Sequence, residues 1–175
     1  MILQLIATPV GQLQAIWTEQ GVLRSCEFAD TPAWQAERGY DNNSVHVADT
    51  QATLPGPHQQ LLAECLGQYF STGRLEWDLA NLDWQGITPF HREVLERCAQ
   101  IPAGQTLTYG ELAVQAGRPR AARAVGSAMA RNRWPLVIPC HRVVGSDGRL
   151  TGYSGTGGIE TKRRLLGLEA GEPVA

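Results

Sequence analysis

Apolar and polar positions alternate over three short segments near the start of the chain: residues 2–7 (Ile-Leu-Gln-Leu-Ile-Ala), 12–18 (Gln-Leu-Gln-Ala-Ile-Trp-Thr) and 22–28 (Val-Leu-Arg-Ser-Cys-Glu-Phe). A period of two predicts strands, with Pro9-Val10-Gly11 and Glu19-Gln20-Gly21 as the turns between them. Residues 30–56 are polar and irregular. The period then lengthens. Leu61, Leu62, Cys65, Leu66 and Tyr69 share one face of a helix over 57–70, with Gly73 near its stop. Residues 72–87 read as a boundary segment. At Thr88-Pro89 a new helix begins, Thr as N-cap and Pro at the first position, with Phe90, Val94, Leu95, Cys98 and Ile101 as its apolar stripe. Pro102-Ala103-Gly104 ends it, and Cys98 faces the core. Residues 108–117 make a short helix closed by glycine, and a second follows Arg118-Pro119 from about 120 to 130. Two short helices joined by a tight, glycine-containing turn read as a helix-turn-helix. A last helix, about 159–168, packs Leu165, Leu166 and Leu168.

These elements make an α+β chain of 175 residues, enough for one domain or two small ones. No apolar run reaches transmembrane length and no basic leader precedes the first strand, so a cytoplasmic protein is expected. Cys26, Cys65, Cys98 and Cys140 are scattered, which indicates neither a disulfide framework nor a common zinc motif. The net charge of −2 hides an asymmetry. The first half is acidic and the second basic, and between Glu111 and Asp147 there is no acid while Arg118, Arg120, Arg123, Arg131, Arg133 and Arg142 all fall there. That distribution argues for nucleic acid where the whole-chain charge would not.

The predicted second helix of the pair, Ala-Ala-Arg-Ala-Val-Gly-Ser-Ala-Met-Ala, has a slim surface suited to approaching a groove. Ala122, Ala124 and Gly126 provide that surface, and Arg118 and Arg131 flank it. Arg123 projects from it to bind phosphate, to enter a groove, or simply to be solvated. Beyond lies Ile138-Pro139-Cys140-His141-Arg142-Val143. Pro139 fixes its own φ and biases Ile138 toward extended backbone, so the thiol is presented from a stiff turn. A free thiol ionises near pH ~8.5, so only a few per cent is thiolate at neutrality unless cationic or proton-accepting neighbours raise the fraction. His141 and Arg142 are the candidates. On an extended segment neighbouring side chains point opposite ways, so a water relay between Cys140 and His141 is as compatible as direct contact. Asn132, between the helix pair and the cysteine, is placed to couple docking to the reactive site. The glycine-rich loop at 151–158 lacks the lysine pattern of a phosphate-binding loop and reads as a lip over a flat substrate. Glu169 is either a carboxylate that orients His141 or an ordinary surface acid.

Ile-Pro-Cys-His-Arg-Val resembles the active-site signature of the O6-alkylguanine-DNA alkyltransferases, the self-alkylating DNA repair proteins. The flanking features match that family in order and spacing over most of residues 88–170, while 1–85 match only in general layout. The resemblance implies a small N-terminal sheet-plus-helix (RNase H-like) domain over 1–85. It implies a C-terminal helical domain with a helix-turn-helix (winged-helix-like) over 86–175. Cys140 would take an alkyl group from O6 of guanine, with O4-methylthymine a further candidate substrate, and keep it. His141 would act as its base through water, Glu169 would orient His141, and Tyr109 would assist departure of the guanine. Arg123 would fill the stack left by the flipped base. Asn132 would tie the recognition helix to the active-site turn, and Tyr153, Ser154 and Gly155 would line the pocket. The carbonyls of Cys140 and Val143 would receive the exocyclic amine. The partner implied is double-stranded DNA containing alkylated guanine, bound through its minor groove by a monomer, with cooperative binding left open. No cofactor or metal is implied; some relatives carry a structural zinc, but Cys26, His46 and His58 have no such spacing. The chain departs from the family at Arg133-Trp134, where many relatives have Pro and a small aliphatic, and at Thr156-Gly157, which lengthen the glycine loop. A lesion-binding relative without chemistry has tryptophan at the cysteine position. A Cys-His hydrolase would leave the arginine-rich helix pair unexplained, and a transcription regulator would leave the cysteine turn unexplained.

Overall fold

The period-two segments form an antiparallel meander: β1 (Ile2–Thr8), β2 (Gly11–Trp17) and β3 (Leu23–Ala29). The structure, a computed structural model, describes residues 1–29, 46–47, 56–153 and 157–172. Leu3 pairs with Ile16 and Leu13 with Phe28, so Leu13, Ala15 and Trp17 along β2 are fully buried at alternate positions. A fourth strand, β4 (His46–Val47), runs parallel to β1, and the order is β3-β2-β1-β4. This corrects the expectation that 30–56 is irregular throughout; the rest of that segment up to Pro55 lies outside the described residues.

Helix α1 (Pro57–Thr72) buries Leu62, Leu66 and Tyr69 and leaves Leu61 exposed. Gly73 stops it in the left-handed region at φ 72°, its N–H on the Tyr69 carbonyl at 2.7 Å. A side chain at Gly73 would also strike the backbone of Glu169, since a Cβ there would lie 3.2 Å from the Glu169 Cα. Helix α2 (Pro89–Ala99) starts on Thr88, whose hydroxyl accepts the His91 N–H, and buries Val94, Leu95 and Cys98.

Helix α3 (Tyr109–Gln115) opens with a reciprocal cap: Thr108 Oγ1 accepts the Glu111 N–H at 3.1 Å, and Glu111 Oε2 accepts the Thr108 N–H at 2.7 Å. Helix α4 (Ala122–Ala130) follows, and α5 (Gly158–Glu169) ends the described chain. Strand β5 (Leu107–Thr108) pairs in parallel with β6 (Val143–Val144), which fastens the start of α3 to the residues after Cys140.

The chain thus has a mixed architecture of a small four-stranded sheet, a two-stranded ladder and five α-helices among the described residues. One hydrophobic core runs from Leu13, Trp17 and Leu23 through Leu66 and Tyr69 to Val94, Leu112, Val125, Trp134 and Ile138. No helix among the described residues is long and apolar enough to cross a membrane.

Candidate active site

Cys140 sits on a turn built with some backbone strain. Leu136 has φ 71°, the one positive value outside glycine among the described residues, and it is buried. The Ile138 N–H closes back on the Trp134 carbonyl at 2.7 Å. Cys140–Arg142 is then a single 3-10 turn, with the Arg142 N–H on the Pro139 carbonyl at 2.9 Å. The stiff turn expected at Pro139 is present, and the expectation that Cys140 and His141 lie on extended backbone is corrected. Pro139, at ψ 64°, turns the chain instead of prolonging a strand, and consecutive side chains fan around the turn.

His141 and Glu169, 28 residues apart, meet: His141 Nε2 lies 2.7 Å from Glu169 Oε1, and both side chains are inaccessible to solvent. Burial lowers the His141 pKa, with the Glu169 hydrogen bond opposing it, and the imidazole is neutral at pH 7. A neutral ring that donates through Nε2 has its lone pair on Nδ1, and Nδ1 is buried with no hydrogen-bond partner among the described residues. Burial acts to raise the Glu169 pKa, but donors from His141 and Arg142 outweigh it and set the value at about 2. Arg142 does not face the thiol, as the sequence suggested it could. Its Nε is 2.9 Å from Glu169 Oε2, its Nη2 is 2.8 Å from Oε1, and its Nη1 donates to the Ile101 carbonyl at 2.6 Å.

The cation facing the thiol is Lys162, which the sequence reading passed over. Its Nζ is buried, donating to the Val143 carbonyl at 2.6 Å and the Thr151 carbonyl at 3.0 Å. Burial raises the Cys140 pKa; Asn132, Lys162 and the N–H groups of Cys140 and His141 act against it. Lys162 is the one lysine in a chain with fourteen arginines, and that singularity was the signal available. A strongly hydrated ammonium tolerates burial only with such partners. Asn132 lies where α4 meets the turn. Its Nδ2 donates to the Ile138 carbonyl at 2.9 Å and its Oδ1 accepts the Trp134 N–H at 3.0 Å.

A pocket of about 240 Å³ opens onto Cys140, lined by Tyr109, Gly126, Met129, Ala130, Gly152 and Tyr153. Tyr109 donates to the Thr151 carbonyl at 3.2 Å, and burial pushes its pKa up, so it stays a donor. The Tyr153 hydroxyl is buried without a partner among the described residues. Gly126 approaches the Tyr109 ring closely enough that a Cβ would lie 3.9 Å from it. Met129, Ala130 and Gly152 were not singled out in the sequence. Arg118, Arg123, Ala124 and Arg131 are exposed, and Ala122 is half-buried; none of them lines the pocket. The Val143 carbonyl is already engaged by Lys162. Ser154, Gly155 and the Thr156 insertion lie outside the described residues. Arg133 and Trp134 point away from the pocket: Arg133 Nη2 donates to the Asp83 and Gln85 carbonyls, and Trp134 Nε1 to the Leu23 carbonyl at 3.0 Å.

Fold and site together define a protein with one thiol, Cys140, at the wall of a pocket, next in the chain to a buried histidine-carboxylate pair and set beside a pair of short helices. Residues 89–171 match the family described as 6-O-methylguanine DNA methyltransferase, DNA binding domain. The chain is 39% identical over 168 residues to the methylated-DNA-protein-cysteine methyltransferase of Salmonella typhimurium, covering 92% of this chain and 91% of that one. It is 41% identical over 166 residues to the protein of the same name from Shigella flexneri, at 92% and 91% coverage. The crystal structure of Mycobacterium tuberculosis OGT in complex with DNA superposes with a TM-score of 0.75 at 34% identity, covering 99% of this chain and 96% of that one. The chain belongs to the methylated-DNA-protein-cysteine methyltransferase family.

Proposed function

We propose that this protein repairs DNA by moving the alkyl group from O6 of guanine irreversibly onto Cys140. The observation that carries the reading is the thiol at the pocket wall with a neutral histidine-carboxylate pair beside it. The thiol proton leaves through water to the free Nδ1 of His141, and the Glu169 carboxylate stabilises the imidazolium that results. Sγ attacks the alkyl carbon, a C–S bond forms, and the C–O bond breaks. The electron pair stays on the purine, which Tyr109 assists as a hydrogen-bond donor. A thioether is a poor leaving group, so the reaction is stoichiometric.

An alkyl group on O6 is inaccessible in a stacked duplex, so the nucleotide has to be extruded. The slim surface of Ala122 and Ala124 on α4 suits the minor groove, Arg123 is the residue that fills the vacated stack, and Arg118 and Arg131 hold phosphates. Asn132 ties α4 to the reactive turn, and Tyr153, Ser154 and Gly155 close over the base. The order β3-β2-β1-β4 with β4 parallel supports an RNase H-like N-terminal unit. The helix pair with its short ladder supports a winged-helix-like C-terminal unit, divided from it near residue 85. A monomeric, cytoplasmic repair protein is the setting that fits.

The test is the intact mass after incubation with a duplex containing O6-methylguanine. One methyl group per protein, on the peptide holding Cys140, is expected. Repeated turnover, or methyl on Cys26, Cys65 or Cys98, would overturn the reading.

A further inference from the structure

The histidine-carboxylate pair has a third member that comes from outside residues 89–171. Tyr69, on α1, donates its hydroxyl proton to Glu169 Oε1 at 2.9 Å, and the Tyr69 hydroxyl oxygen lies 3.4 Å from His141 Nε2. We propose that Tyr69 is a positioning residue for alkyl transfer, holding the Glu169 carboxylate so that His141 keeps its proton on Nε2 and its lone pair on Nδ1. The proposal rests on the function argued above for Cys140.

The geometry leaves the carboxylate little freedom. Oε2 is occupied by Arg142 Nε at 2.9 Å and by the Gly104 N–H at 3.1 Å. Oε1 is shared among Tyr69, His141 and Arg142 Nη2. Tyr69 has no accessible surface, and its ring sits edge-on to the imidazole with centroids 6.4 Å apart. Burial first, and then the charge of Glu169, push the phenol pKa far up, so it is a donor at every working pH. Helix α1 is itself pinned at this point, because Gly73 lies against the Glu169 backbone.

The sign of the electrostatic effect separates positioning from mere packing. Each donor on Glu169 withdraws negative charge from the side facing His141. Removing the Tyr69 proton therefore strengthens the pull of Glu169 on the imidazole and favours imidazolium, which cannot accept the thiol proton. The other charged or titratable groups facing these two residues are Arg142 and Cys140 on the turn, Lys162 on α5, and Tyr153. None of them is altered by a change at Tyr69.

Tyr69→Phe keeps the ring and removes one proton. In the full-length protein, the rate of Cys140 alkylation by O6-methylguanine duplex is measured from pH 5 to 9. The acid limb should move up by about one pH unit, roughly a tenfold loss of rate on that limb, with rates converging at alkaline pH. Leu62→Val, which loosens the same helix without touching the carboxylate, should lower the melting temperature and leave the pH profile in place. An acid limb for Tyr69→Phe that stays put or moves down would overturn the proposal. Failure of the parent protein to methylate Cys140 would instead overturn the function on which it rests. Should the variant not fold, the parent still decides. NMR should show a slowly exchanging tyrosine hydroxyl proton close to the His141 ring, and its absence would count against Tyr69.

Discussion

Donors from Tyr69, His141, Arg142 and Gly104 converge on the carboxylate of Glu169, so this single side chain sets much of the site's dependence on pH. Its folded pKa is about 2, against 4.5 for the free group. A depressed carboxylate pKa stabilises the fold at neutral pH, and that stability is lost as pH falls from the unfolded value through the folded one. The difference corresponds to about 3 kcal/mol. His141 adds to the trend, because burial lowers its pKa and the unfolded chain takes up its proton first as pH drops below about 6.5. Urea midpoints measured from pH 7 to 3 should fall more steeply for the parent than for Glu169→Gln, which is already weakened at pH 7 by leaving Arg142 without its counter-ion. Parallel curves would show that the acid sensitivity arises elsewhere. At this scale the sequence was legible only in part. Cys140, His141 and Glu169 stood out by their types, whereas Tyr69 occupied a helical-spacing position like any core residue. Lys162, in Glu-Thr-Lys-Arg-Arg, resembled a solvated run. Both matter through partners at least 11 residues away, which no local pattern records.

Among the elements, the three long strands and the helices with an apolar stripe could be read because each repeats its period several times. Strands β4, β5 and β6 have two residues each and carry no period. At Cys140 the stiff turn was legible from Pro139, but its 3-10 form was not, because the proline rule predicts the φ of Pro139 and not its ψ. Helix α4 illustrates what patterning does convey. Val125, Ala128 and Met129 are buried, and Arg123 and Ala124 fall on the opposite, exposed face. Under the proposed function, arginines on or near this face would divide into two kinds of contact. Arg123→Ala should slow repair of duplex DNA by roughly 10- to 100-fold, since extrusion costs a few kcal/mol and the wedge recovers part of it. Reaction with the free base O6-benzylguanine should hardly change. Arg118→Ala should instead weaken duplex binding uniformly and reduce its salt slope by about one. Equal losses on duplex and free base for Arg123→Ala would move that residue from the DNA interface into the pocket or the fold.

Across the whole molecule, the reactive turn is anchored to the edge of the N-terminal sheet. The Cys26 N–H donates to the Arg133 carbonyl at 2.8 Å and Trp134 Nε1 to the Leu23 carbonyl, so residues 133–134 run along β3. The Trp134 ring meets Trp84 with centroids 5.0 Å apart. The guanidinium of Arg133 lies 4.9 Å over the ring of Trp134, and that of Arg92 lies 4.8 Å over Trp84. This stack joins the segment before α2, α2 itself and the approach to Cys140, and it keeps Arg133 and Trp134 out of the pocket. Trp134 is fully buried, so Trp134→Ala should cost about 3–5 kcal/mol by loss of apolar burial and the cavity left behind. Trp134→Phe should cost less, because the Leu23 carbonyl keeps the Asp83 N–H at 2.9 Å when the indole donor is gone. Asn132 and Ile138 flank the residue, so the alanine variant should also lose alkylation rate while the phenylalanine variant retains most of it. Urea unfolding and single-turnover rates on the same preparations decide the matter. If Trp134→Ala unfolded within about 1 kcal/mol of the parent, the stack would be a surface contact and not an anchor.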